Sequence, residues 1–219
     1  MTHDRRRWAC IAAAALLMAG QAWPQAASNP TPNARLLVAA RQSDLAAVTR
    51  ALAQGASPDS RNRLGKTALL MAAEKGEAAL AHAMVVAGAD VGLASVERVT
   101  PLMAACYGGH VGIVRELLER GARPEEVDRM HKPAIVYAAG QGHVEVVRLL
   151  LDRGVPVNAL HENRLTALMW AAGQGHAAVV RLLLERGADS TVRDDRDLRA
   201  VDMARQAGHV DVVALLEGH

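Results

Sequence analysis

Phenylalanine is absent from this 219-residue sequence, and only three Trp and two Tyr stand beside it. Strand-built sandwiches and barrels fill their pleated faces with aromatic and β-branched side chains, whereas Ala, Leu and Val dominate the apolar half of this chain. Such a composition favours close-packed helices. Cysteine is scarce as well, with Cys10 and Cys106 alone. Excess charge of either sign is also lacking, since the formal net charge is only +2. Removing Arg5, Arg6 and Arg7 together with Asp4 leaves 22 basic and 22 acidic residues, both signs interspersed. That balance supplies no electrostatic footprint for nucleic acid or an anionic membrane.

Those four charges precede an uncharged Ala- and Leu-rich run of 13 residues from Trp8 to Gly20, followed by the small residues Ala22, Ala26 and Ala27. The order is that of a secretory signal peptide. A membrane-spanning helix needs about 20 apolar residues, so a permanent anchor is not expected. Gly20-Gln21-Ala22 places cleavage after Ala22, with Ala26 as the alternative. Residues 1–22 are therefore read as a signal, which makes the mature chain a periplasmic or secreted bacterial protein, and 23–33 as a linker whose Asn33 caps the first helix. Loss of Cys10 leaves Cys106 alone and excludes an internal disulfide.

From residue 34 onward the chain repeats itself. Gly76, Gly109, Gly142, Gly175 and Gly208 are each 33 residues apart, and Gly55, Gly88, Gly121, Gly154 and Gly187 keep the same interval without insertion or deletion. Ser43 extends the first series backwards by one step. Each unit holds two apolar patterns of helical spacing; in the third, Val111, Val114, Leu117 and Leu118 fall on one face and Arg115, Glu116 and Glu119 on the other. One such pair of helices cannot bury its apolar side unaided. Neighbours must stack into an elongated all-α solenoid.

"TALLMAAEKGE" from Thr67, "TPLMAACYGGH" from Thr100 and "TALMWAAGQGH" from Thr166, with endings such as "LLERGAR", resemble ankyrin repeats over about 186 residues. The resemblance implies six repeats at 34–66, 67–99, 100–132, 133–165, 166–198 and 199–219, each of two antiparallel helices with a hairpin projecting sideways. Departures are visible. Leu37, Leu70, Met103, Val136, Met169 and Asp202 stand where the family usually has a His, which removes a common hydrogen bond and predicts modest stability. Arg98, His131, Arg164 and Asp197 stand where the hairpin usually has Gly, putting its shape in question; Gly65 alone matches.

Few residues offer chemistry. His110, His143, His176 and His209 recur with the period, but stacked helices lie about 8–10 Å apart, too far for two rings to share one zinc. They are expected to be structural. Cys106 reads as a buried small hydrophobe, and the Asp194, Asp195 and Asp197 cluster as a solvated hairpin tip. Tyr137 and Trp170 share an otherwise apolar column and read as core. Met103, Met130 and Met169 read as packing filler. No catalytic set, metal or cofactor is expected, the alternative being a metal- or redox-active protein using Cys106 and the repeat histidines.

The expected function is therefore non-enzymatic binding of another protein by a monomer, as scaffold, protector or inhibitor. In the family, partners are held by hairpin tips and by the exposed ends of the first helices along a concave face. Carried over, the tips are Arg63, Leu64 and Lys66; Val96, Glu97 and Val99; Arg129, Met130 and Lys132; Glu162, Asn163 and Leu165; Asp195, Arg196 and Leu198. The helix ends are Glu74, Lys75, Tyr107, Gln141 and Gln174. Arg, Tyr and Met among mixed charges suit a protein-binding surface.

Overall fold

A computed structural model describes residues 30–218 of the chain. The signal read at 1–22 and the linker up to residue 29 lie outside the described residues. Thr31–His219 forms one compact unit. Among the described residues there are twelve α-helices in six pairs: α1 Pro32–Arg41 and α2 Leu45–Ala53; α3 Ala68–Lys75 and α4 Ala78–Val86; α5 Pro101–Gly108 and α6 Val111–Glu119; α7 Ala134–Gly140 and α8 Val144–Asp152; α9 Ala167–Gly173 and α10 Ala177–Glu185; α11 Ala200–Ala207 and α12 Val210–Glu217. One short 3-10 turn covers Glu162–Arg164. The expected all-α repeat solenoid is the observed fold.

Local chemistry sets the helix ends. Thr67, Thr100 and Thr166 accept the backbone N–H three residues on, at 3.1, 3.2 and 3.2 Å, and so begin α3, α5 and α9. Arg199 replaces this Thr in the last unit, where Asp202 accepts the Arg199 backbone N–H at 3.1 Å. Gly76, Gly109 and Gly208 end α3, α5 and α11 in the left-handed region. The first helix differs from expectation, because α1 starts at Pro32 and is capped by Thr31. Asn33 lies inside it and accepts from Ser57 N–H at 2.8 Å, tying α1 to the loop after α2.

Packing is linear. The first helices α1, α3, α5, α7, α9 and α11 form one layer and the second helices another, each touching its partner and its sequence neighbours in the stack. Leu36, Leu69, Leu102, Ile135 and Leu168 from the first layer, and Met84, Leu117, Leu150 and Leu183 from the second, are almost completely buried at 33-residue intervals. Where the family's His is missing, Leu70, Met103, Val136 and Met169 are buried apolar fillers.

The histidine column joins the units. His143, His176 and His209 place Nε2 at 2.9, 2.9 and 3.2 Å from the carbonyl oxygens of Tyr107, Gly140 and Gly173. Those carbonyls belong to the last turns of α5, α7 and α9, which lack helical donors, so each ring donates from Nε2 to a carbonyl of the preceding repeat. The ring packs against that repeat's glycine. A Cβ at Gly109, Gly142 or Gly175 would come within 2.5, 2.7 and 2.5 Å of the ring Nδ1 of the following His, and one at Gly76 within 2.4 Å of His110 Cε1. The first junction is the exception, with Glu77 at the His position and Ser43, at φ 58°, at the glycine position. Lys75 takes over there, its ammonium donating to the Arg41 carbonyl and lying 3.3 Å from Ser43 Oγ.

This separates two glycines of equal backbone geometry. Gly121 and Gly109 both have positive φ, but a Cβ at Gly121 meets nothing within 4 Å. Gly121→Ala should cost about 1–2 kcal/mol from the left-handed backbone alone. Gly109→Ala should cost about 1 kcal/mol more by displacing the His143 ring and its hydrogen bond; made in a His143→Ala background, where the ring is already gone, the same substitution should cost no more than Gly121→Ala. Urea unfolding measures all three; equal effects at the two glycines would defeat the ring-on-glycine account.

Candidate protein-binding face

The segments between units fold as tips despite their missing glycines. Residues 62, 95, 128, 161 and 194 each accept, through their backbone carbonyl, the N–H three residues on, at 2.9 to 3.1 Å. Gly65, Arg98, His131, Arg164 and Asp197 adopt positive φ at the equivalent site. Side chains compensate for the strain at non-glycine residues. Asn62, Asp128 and Asp194 each accept two backbone N–H groups of their own tip through Oδ1, at 2.8 to 3.0 Å, and Ser95 accepts one at 3.3 Å. The hairpin turn questioned on sequence is thus retained, with Val127 and Pro133 forming an isolated antiparallel bridge.

Asp128 and Asp194 are buried, which corrects the reading of the Asp194 cluster as merely solvated. Burial acts to raise the Asp194 carboxyl, but hydrogen bonds from Leu198 N–H, the Arg196 side chain and Arg196 N–H outweigh it and hold it below the usual carboxylate range. Asp195 and Asp197 are exposed.

Adjacent tips are linked by backbone hydrogen bonds from Val96 N–H to Leu64, Arg129 N–H to Glu97 and Asp195 N–H to Asn163, at 2.9, 3.1 and 3.2 Å. Among the described residues no such bond joins the third tip to the fourth. His161 stands there in place of the Asn or Asp, and Asn163 and Arg164 both turn left-handed. A depression of about 230 Å³ opens at the gap, lined by Met130, His131, Lys132, His161, Glu162, Asn163, Leu165 and Trp170. Burial lowers the His161 imidazole below its ordinary value.

Beside the tips, the ends of the first helices form a run of depressions. Tyr107 and Tyr137 meet edge to face, centroids 5.9 Å apart at 78°, and bound a hollow of about 370 Å³ with Glu74, Val99, Met103 and Ala104. A hollow of about 180 Å³ follows, between Tyr107, Lys132, Val136, Tyr137, Gly140, Gln141, Trp170 and Gln174. A third, about 370 Å³, lies between Trp170, Gln174, Arg196, Met203 and Gln206. The Lys132 ammonium sits 4.4 Å from the Trp170 ring centroid. The Tyr137 hydroxyl donates to Asp128; burial, this hydrogen bond and the charges of Asp128 and Tyr107 push the phenol well above its ordinary range.

Ankyrin-repeat sequence models match residues 36–128 and 125–194. The chain belongs to the ankyrin-repeat family. No curated protein matches it in a direct sequence comparison. Ankyrin repeats mediate protein–protein binding, and this chain is an interaction module of that kind.

Within this ankyrin array the residues chosen from the sequence fall into four groups. Glu74, Tyr107, Lys132, Gln141, Gln174 and Arg196 converge on the depressions. Met130, Glu162 and Asn163 line the tip gap. Leu64, Arg63, Glu97, Arg129 and Asp195 are exposed on the tips, Glu97 lying 3.8 Å from Arg129. Two have structural duties: Lys66 pairs with Glu74 at 2.6 Å, and Lys75 closes the first junction. Tyr137 and Trp170 were misjudged as core. Both are half-buried and wall the depressions, while Met71 and Ala104 in the same column are buried. The usable signal was their chemistry, since Tyr and Trp have an apolar body with a polar tip suited to such edges.

Other chemistry is engaged elsewhere. Cys106 is fully buried, and burial pushes its thiol far up, so it supplies no thiolate. Among the described residues no cluster of His, Cys, Asp and Glu is placed to hold a metal ion.

Asp194→Ala leaves two tip N–H groups without their acceptor and should lower stability by about 1–3 kcal/mol. Asp194→Asn keeps an amide oxygen, as Asn62 does, and should lose about 1 kcal/mol or less with the Arg196 pair. Because the folded Asp194 carboxyl is depressed, its charge stabilises above the unfolded value near pH 4 and that contribution vanishes as pH falls through the folded value. Thermal unfolding against pH should show the wild type and Asp194→Asn converging in acid; a constant gap would refute the ionised role.

Proposed function

We propose that this ankyrin array is a non-enzymatic module of an exported compartment, where it scaffolds, protects or inhibits another exported protein. The observation that carries the binding face is the unbroken run of aromatic, methionine and glutamine side chains along the first-helix ends, bordered by charged tips. Tyr107 at a first-helix end and Met130 on a neighbouring tip remain 55% and 57% exposed. Large apolar side chains gathered beside shape-holding depressions, within a polar rim, are what a protein interface uses as anchors. The histidines and Cys106, engaged in stacking and core, support the non-catalytic reading over a redox or metal activity.

The compartment rests on the N-terminal segment alone. Among the described residues no helix is long and apolar enough to cross a membrane. The chain recovered from the periplasm should begin at Trp23, or at Ala27 if the alternative site is used, as intact-mass measurement would establish. A chain retaining residues 1–22 and confined to the cytoplasm would overturn the export proposal.

For the face, cross-linking and co-purification from periplasmic extract should capture a specific partner. Arg129→Glu with Met130→Asp should weaken that capture at least about tenfold, with the urea midpoint unchanged. Capture that is indifferent to both substitutions would place the partner elsewhere.

A further inference from the structure

We propose that the corner between Tyr107 and Tyr137 is a socket for a lysine side chain presented by the partner protein, an inference that rests on the protein-binding reading above. The template lies within the chain. Lys132 holds its ammonium 4.4 Å from the centroid of the Trp170 ring, and the residues 33 positions earlier are Val99 and Tyr137. At Tyr137, therefore, the cation that occupies the corresponding place one repeat further on is replaced by a short, uncharged side chain. The space is open, and Val99 lines the resulting hollow of about 370 Å³.

The walls suit an ammonium on an aliphatic stem. Tyr107 and Tyr137 meet edge to face at 78°, and both rings line the hollow beside that contact, where a ring face attracts a cation. Behind Tyr137, Asp128 is only 3% exposed. It accepts from the Tyr137 hydroxyl and from the Met130 and Lys132 N–H groups, and among the described residues it joins no salt bridge. It thereby fixes the hydroxyl end of the Tyr137 ring that walls the socket. At the rim Glu74 adds a second carboxylate, of which Lys66 engages Oε1, and a carboxylate accepts at both oxygens. Met103 and Ala104 supply an apolar floor for methylene groups. An acidic side chain would find no ring face that favours it, and an apolar one would gain only the floor.

Tyr107 and Tyr137 are the only tyrosines in the sequence, so their ring signals in a tyrosine-labelled chain report this corner alone. The probe is a short Gly-Ser peptide with one central lysine, titrated by NMR beside versions carrying norleucine or glutamate. The lysine peptide should shift both rings and bind about three- to tenfold more tightly than the norleucine peptide, with no response to glutamate. Glu74→Gln should weaken it about threefold by removing one charge–charge attraction. Val99→Lys supplies the occupant from within, as Lys132 does for Trp170, and should abolish the response while the urea midpoint holds; should that variant unfold, Glu74→Gln at the exposed rim carries the test. Equal binding of norleucine, no ring shift with lysine, or a response surviving in folded Val99→Lys would overturn the socket. A captured partner that binds folded Val99→Lys undiminished would also overturn it, yet leave the array a protein-binding module.

Discussion

The molecule depends on one repeated contact, an imidazole packed against the left-handed glycine of the repeat before it. That contact needs φ in a region glycine enters freely and no Cβ against the ring, and at His143, His176 and His209 a carbonyl at the end of the preceding helix receives the ring proton. All three follow from a single spacing, so an insertion between glycine and histidine would break every requirement together. The comb of glycines is kept in phase by the residues that rest on it. Ser43 marks the limit of this rule: no ring covers it, and a lysine reaches the carbonyl instead.

Stacking uses up the apolar sides of both helices and leaves the first-helix ends and the tips to face outward. The tips do not rely on glycine for their shape. At Arg98, His131 and Asp197 a left-handed residue costs about 1–3 kcal/mol, and the side chains of Ser95, Asp128 and Asp194 offset it by satisfying the turn's own N–H groups. His161 cannot repeat the pattern, and the row of tips is interrupted at that point. A regular scaffold thereby acquires one irregular opening.

Equivalent positions in such an array can diverge because the junction contacts are elsewhere. In the column that includes Met71, Ala104, Tyr137 and Trp170, the first two are buried and the last two stand half-buried as walls of the depressions. Lys132 covers the Trp170 ring, whereas Val99 leaves the Tyr137 ring uncovered. The histidine-to-glycine contacts lie at other positions, so this column can vary, and a uniform core presents an uneven surface.

The period, the helix pairs, the buried Leu and Met columns, the structural part of the histidines and the inward Cys106 were legible in the sequence, because each repeats or fails to repeat in register. Asp128 and Asp194 were not, since a carboxylate in a polar loop looks solvated until the turn closes around it. Tyr137 and Trp170 were taken for core because a column shared with Met and Ala gives the residue type but not the depth, and depth depends on how far neighbouring helices splay at their ends. The sequence by itself determined the stacking, through local spacing that any repeat must satisfy with its neighbour. Only the tertiary structure decided which side chains wall a depression and which ring is left uncovered, since those relations join residues about one repeat apart, which only stacking brings together.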